Sequence, residues 1–292
     1  NITIDSNQTH KIIFPWKILA VVITITVVVA ALTSSLIVSR GILKPKEEKK
    51  LNISGVIINK NETVAKTAAQ VVKTRLNAVI FVSSVYSKNE RLLGFIKDGD
   101  WDGAIKSIAG LLKEHPDGVD RIFLTDLTGF LTADYPTIKG AYGQNLAFSD
   151  WYKGVTNRFE PYVSEIHQRP EKPQFNIVSI AFPIKDKNNA PLAFLVIQTR
   201  ADVFLSWIYD VQIGHSGKIF IVDQKGHAVA HPDIAPQGEI ADFSSEIDVQ
   251  KVVAGQSGTD IFFDSKRFVS SYEPISGYNW GAVVRISIDE AK

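Results

Sequence analysis

Arg121 to Asp134 reads RIFLTDLTGFLTAD, and Lys218 to His231 reads KIFIVDQKGHAVAH. Ile, Phe, Asp, Gly and Ala recur at matched places. In each stretch an apolar run meets an Asp, two variable residues and a Gly, and a second apolar run follows, which is the pattern of strand, tight turn and strand. Each stretch is expected to be a β-hairpin. Gly129 and Gly226 supply the positive φ that such a turn needs, and Asp126 and Asp223 can bond the turn backbone through their side chains.

The likeness continues downstream. Val178-Ser179 and Pro183-Ile184 follow the first hairpin, and Val269-Ser270 and Pro274-Ile275 follow the second at equal spacing. A short polar turn and a last apolar strand close each set, Leu192 to Ile197 in one and Trp280 to Ile286 in the other. Two tandem copies of one antiparallel module are the expectation.

At 292 residues the chain has the length of about two domains of roughly 100–200 residues each. A formal net charge of +1 does not argue for a nucleic-acid surface, so nucleic acid is not an expected partner. The absence of cysteine excludes a disulfide framework, thiolate zinc sites and a cysteine nucleophile. A chain that opens at Asn1 and contains no Met is expected to be trimmed at its ends.

Residues 1–14 read as a polar, cytoplasmic tail. Residues 15–40 read as a transmembrane helix, because Ile18 to Val38 carries only Thr and Ser as polar members and about 20 apolar residues match the hydrocarbon core. Trp16 and Lys17 anchor one end and Arg40 the other. A cleaved signal peptide is the rival, set aside because the run is long and lacks a small-residue exit. Lys44, Lys46, Lys49 and Lys50 after the span argue for a cytoplasmic main domain by simple charge counting. Large domains translocate largely regardless of charge, and sequons at Asn52 and Asn61 suit an exposed face. The main domain is therefore expected outside the cytoplasm, with the protein in the cell membrane.

Residues 41–95 read as a juxtamembrane segment and one long helix, with Val64, Ala68, Val71, Val72, Leu76 and Val79 recurring at three and four through Phe95. A second helix is expected at Trp101 to Glu114, a short one at Asp202 to Tyr209, and another near Phe243 to Ala254. A homodimer through the long helix is a possible partner arrangement, although its exposed stripe is not a sustained heptad.

The long helix, the tandem sheet modules, Gly214 to Asp233 (GHSGKIFIVDQKGHAVAHPD) and the closing SSYEPISGYNWGAVVRI together resemble the double Cache domain. That PAS-like domain is the extracytoplasmic sensor of prokaryotic chemoreceptors and sensor kinases. The resemblance covers Leu51 to Ala291. It implies an α+β fold with one N-terminal transmembrane helix, a long stalk helix and two tandem PAS-like antiparallel-sheet modules. It further implies that residues 96–205 form a membrane-distal, ligand-binding module and residues 206–292 a membrane-proximal one, with a second span after Lys292.

The family's amino-acid-binding version places an Arg two residues before a Trp-Tyr pair and a carboxylate further on at a strand end. The pair stands here as Trp151-Tyr152, whereas Ser149 occupies the Arg position and Gln198 lies near the expected acid. On that ground an α-amino acid is expected to be disfavoured. The candidate ligand-binding residues are Trp151, Tyr152, Ser149, His167, Arg169, Gln174 and Gln198, the aromatic pair as walls and the others as polar partners.

Catalytic and metal chemistry finds little support. Asp98-Gly-Asp100-Trp-Asp102-Gly103 copies the first half of a calcium loop, but Ala109 stands where its closing acid would fall, and the capping of a helix explains these acids. Gly255-Gln-Ser257-Gly258 lacks nucleophile-elbow spacing. His227 and His231 on a strand would sit about 13 Å apart, too far for one metal. No enzyme activity, metal or cofactor is expected of these residues, though an output domain beyond Lys292 could be enzymatic. The expected function is small-molecule sensing in the distal module, relayed through the long helix and the C-terminal end. The alternative is a membrane-anchored surface binding or adhesive protein without signalling output.

Overall fold

The computed structural model of the chain describes residues 55–114, 118–170, 172, 174–209, 211, 217–235, 237–262 and 267–289. The expected tail and membrane span fall outside them. Among the described residues no helix is long and apolar enough to cross a membrane.

Helix α1, Gly55–Tyr86, buries Val64, Ala65, Ala68, Ala69, Val72, Leu76 and Val79, the stripe that spacing by three and four predicts. It does not run on to Phe95. Asn89 takes an extended backbone (φ −63, ψ 123) and caps a separate helix, α2 (Glu90–Lys97), its side chain accepting from the amides of Arg91 at 2.9 Å and Leu92 at 3.4 Å. A capping Asn satisfies orphan donors only from outside the helix, so the long helix must stop before it. Helix α3 (Trp101–Ile108) opens on Asp100, whose carboxylate accepts from the Gly103 amide at 2.9 Å. A short helix α4 (Gly110–Glu114) follows.

The first sheet comprises β1 (Arg121–Thr125), β2 (Leu131–Tyr135), β3 (Tyr162–Val163), β4 (His167–Gln168), β5 (Asn176–Lys185) and β6 (Pro191–Arg200). Its order is β2-β1-β6-β5-β3, with β4 also paired to β5. Helix α5 (Asp150–Arg158) lies between β2 and β3 in the chain, and α6 (Ala201–Ile208) leads out of β6. The second sheet comprises β7 (Lys218–Val222), β8 (Ala228–Ala230), β9 (Gly258–Phe262), β10 (Phe268–Ile275) and β11 (Trp280–Ser287), in the order β8-β7-β11-β10-β9, with helix α7 (Ile247–Val253) between β8 and β9 in the chain. Both hairpins form as the repeat predicts. Gly129 and Gly226 have φ of 86 and 85, and one oxygen of Asp126 and of Asp223 accepts two amides of its own turn.

Strand alternation then divides the apolar residues between two faces. Ile122, Leu124, Ile180 and Ile197 turn toward the side of α1, α2 and α3 and share one core with Ile219, Ile221, Ala282 and Val284 of the second sheet. Phe123, Ala181, Phe194 and Val196 turn the other way, under Trp151 and Val155 of α5. Phe220, Val222 and Val283 likewise lie under Val249 and Val252 of α7. Each sheet is covered on both faces, which is why β5 and β6 read as near-continuous apolar runs.

Leu76 is fully buried in the shared core, while Phe81 on the same helix is 68% exposed. Leu76→Ala should cost about 2–5 kcal/mol and lower the urea midpoint at constant slope. Phe81→Ala should stay within about 0.5 kcal/mol of the parent, as urea denaturation followed by circular dichroism would show.

Candidate functional site

The outer face of the first sheet, beneath α5, carries a polar rung beside an aromatic patch. Register pairs Gln198 with Arg121 on one side and with Ser179 on the other. The next inward pairs on the same face are Phe123 with Val196 and Val196 with Ala181. Arg121 is 1% exposed and donates to Asp134 Oδ2 at 2.7 Å, and its guanidinium lies 5.3 Å from the centre of the Phe123 ring. Asp134 Oδ2 also accepts from the Ile138 amide at 2.9 Å. Burial makes such a pair depend on its partners, since either charge alone would be stranded in a low-dielectric interior.

Gln198 is 5% exposed, and its side-chain oxygen is buried and accepts no hydrogen bond among the described residues. Ser179 is fully buried; its hydroxyl lies 3.4 Å from His167 Nε2, while His167 Nδ1 lies 3.1 Å from the Glu165 carbonyl. Donation from Nδ1 to that carbonyl leaves Nε2 as an acceptor for the serine hydroxyl.

Trp151, 2% exposed, meets Phe123 edge-on at 5.8 Å and Tyr152 at 5.7 Å. The Tyr152 hydroxyl donates to the Leu127 carbonyl in the hairpin turn at 2.8 Å, and its ring stands 5.8 Å from Phe194. Ser149 precedes α5 as its N-cap but makes no capping bond with its side chain. Arg169 is buried away from the aromatic patch; it donates to Asp120 at 2.7 Å and lies over Phe175. Gln174 is exposed. Of the residues singled out in the sequence, Trp151, Tyr152, Gln198 and His167 therefore gather around one sheet face. Arg169 and Gln174 do not join them. Arg121, Asp134 and Ser179 were not singled out, though the repeat itself held a signal, since Arg121 and Lys218 put a cation at the same place in both hairpins.

From α5 a seam of hydrogen bonds reaches the second sheet. Asp150 Oδ2 accepts from the Glu165 amide at 2.9 Å and from the Tyr162 hydroxyl at 3.1 Å. The next amide, that of Ile166, donates to Asp223 Oδ2 at 3.0 Å. Asp223 is fully buried, and burial raises its carboxyl above the usual range against the opposing pull of the His227, Lys225 and Ile166 amides. Gln224 continues the seam by accepting from the Trp280 indole at 2.8 Å. Where the two sheets meet, a cavity of about 40 Å³ lined by Ile166, Asn176, Ala228 and His231 has room for little beyond water. Among the described residues no three His, Asp or Glu gather to hold a metal ion.

A family model described as the Cache domain matches residues 50–292. No curated protein matches the chain. Among solved structures, the ligand-binding domain of the Pseudomonas fluorescens chemoreceptor CtaA in complex with L-leucine is similar at 19% identity and a TM-score of 0.62, over 82% of this chain and 98% of that one. The ligand-binding domain of the Pseudomonas aeruginosa amino acid chemoreceptor PctB in complex with L-Arg is similar at 15% identity and a TM-score of 0.59, over 78% and 94%. An extracellular ligand binding receptor from Desulfohalobium retbaense is similar at 16% identity and a TM-score of 0.59; 78% of this chain covers 40% of that one.

These neighbours overturn the expectation that an α-amino acid is disfavoured, because domains of this fold hold L-leucine and L-Arg. That expectation counted an Arg and an acid at fixed distances from the aromatic pair. The folded chain instead brings a buried guanidinium, Arg121, and a buried carboxylate, Asp134, to the same sheet face from other positions.

Burial, and then the charge of Asp150, push the Tyr162 hydroxyl up to about 12. A phenol raised in the folded state contributes stability that is fully present below its unfolded value of about 10 and is lost as pH rises toward 12. In a titration of absorbance at 295 nm, Tyr162 should contribute one late step among the eight tyrosines, of which Tyr272 and Tyr278 are also raised by burial. Tyr162→Phe should remove that step and flatten the loss of stability above pH ~10.

Proposed function

The chain belongs to the Cache domain family, and on that premise we propose that it is the extracytoplasmic, membrane-anchored sensor region of a signal-transduction receptor of the chemoreceptor or sensor-kinase type. Its task in these residues is binding. The ligand is a small molecule taken up beneath α5 in a first module, residues 96–205, that stands farther from the membrane than the second, residues 206–292. The observation that carries this reading is the buried side-chain oxygen of Gln198, which accepts no bond among the described residues although it sits between Arg121 and Ser179 and beside the aromatic patch. A buried acceptor without a donor is costly, and a ligand N–H or ammonium would relieve it.

An α-amino acid meets that requirement, with its ammonium toward Gln198 and its carboxylate toward the Arg121 guanidinium. Support also comes from the neighbours that hold L-leucine and L-Arg. Ligand acts only through a difference in affinity between two arrangements of the domain. The seam offers a physical route for that difference, because Asp150 sits next to Trp151 on α5 while Asp223 closes the hairpin of the second sheet. The second sheet in turn packs on α1 and ends in β11, so both the long helix and the C-terminal end share its position.

A thermal-shift screen of the chain against the twenty L-amino acids, amines, organic acids, purines and sugars tests the reading. A ligand at ~100 times its dissociation constant should stabilise the fold by about 2.7 kcal/mol. Gln198→Leu, which removes the acceptor, should weaken it by roughly 1–3 kcal/mol, and Trp151→Ala should abolish it. No stabilisation by any member of the panel, or full binding by both variants, would sink the proposal.

A further inference from the structure

The two halves remain in step beyond their hairpins. Leu146 donates to the Gly129 carbonyl as Phe243 donates to the Gly226 carbonyl, both at matched positions after the turn. Ser149 caps α5 where Glu246 caps α7. The ring of Tyr152 crowds Gly129 as the side chain of Val249 crowds Gly226. Counted in the same step, Trp151 on α5 corresponds to Asp248 on α7. The rungs correspond as well, Ser179, Gln198 and Arg121 in the first sheet with Ser270, Arg285 and Lys218 in the second.

In the second half the covering helix supplies a carboxylate to that rung. Asp248 is 1% exposed. Its Oδ2 accepts from the Ser270 hydroxyl at 2.6 Å and from Arg285 Nε at 2.9 Å, while Oδ1 accepts from Arg285 Nη2 at 2.8 Å. Both oxygens are thus held by the guanidinium fork, the geometry that best recognises a carboxylate. The guanidinium itself lies over Phe220 at 4.8 Å and Phe268 at 4.9 Å, with Glu246 as a further partner at the rim. Fork, hydroxyl and aromatic walls are the parts of a binding site, and the group they bind belongs to the same chain.

We propose that Asp248 is a built-in ligand: the second half carries a carboxylate site, made by Arg285 and Ser270 and walled by Phe220 and Phe268, which the chain fills with its own side chain. Two consequences follow. The second half keeps α7 fastened to its sheet whatever is present in solution. A site emptied of the Asp248 side chain takes a small free carboxylate, such as formate or acetate, in its place. Nothing in this inference depends on what the first sheet binds.

The test is chemical rescue of Asp248→Ala in the full chain, with thermal denaturation in sodium acetate or sodium formate against sodium chloride at equal ionic strength. The variant should melt below the parent in chloride. Acetate or formate should raise its melting temperature along a saturable curve, while leaving the parent, whose site is filled, unmoved. Adding Arg285→Gln should erase the rescue. A folded Asp248→Ala that responds alike to carboxylate and chloride overturns the proposal. Should the variant not fold in chloride, refolding yield becomes the readout; recovery in acetate or formate alone supports the built-in ligand, and equal failure in all three salts overturns it.

Discussion

The fold turns on the carboxylate of Asp223. One oxygen gathers the amides of Lys225 and His227 and so closes the second hairpin; the other takes the amide of Ile166 from the first sheet. Three donors offset the cost of burying this side chain completely, and without them the charge would have no place in the interior. Because the same side chain shapes a turn and joins two sheets, hairpin geometry and the relative position of the halves are not independent. The pair between Lys225 and Glu165 lies over the same junction from outside.

Burial on both faces imposes the second constraint. With α1, α2 and α3 on one side and α5 or α7 on the other, the sheets have little room for an unmatched polar group. Each outer face carries one rung of buried polar residues, and each rung solves its electrostatics differently. In the first sheet Arg121 turns sideways to Asp134 of its own hairpin. In the second, Arg285 reaches up to the covering helix. One helix is therefore held to its sheet by charge as well as by Val249 and Val252, and the other by Trp151, Val155 and the hydrogen bonds of Asp150.

What could be read from the sequence was what depends on near neighbours. The hairpins were legible because Asp, two residues and Gly specify a turn locally, and the sheets because their strands repeat in order. Trp151 and Tyr152 were legible as an aromatic pair by resemblance. The stop of α1 at Tyr86 was not, since its cause is one capping Asn without Gly or Pro to announce it. The Arg121–Asp134 pair escaped notice because a cation opening a strand reads as solvent-facing until the β1–β2 register brings an acid beside it. Long-range meetings such as Ile166 with Asp223 have no local signature at all. The mistaken expectation that amino acids are disfavoured has the same origin: spacing along the chain was taken for position in space.

Asp126 closes the first hairpin with the same oxygen as Asp223, yet it is only half-buried, and among the described residues no backbone from another sheet meets it. The two halves are thus joined head to tail, and the joint has a polarity. The second half carries the plug and the first carries the socket, at Glu165 and Ile166 between β3 and β4. An array built by repeating this unit would have an open end at Asp126.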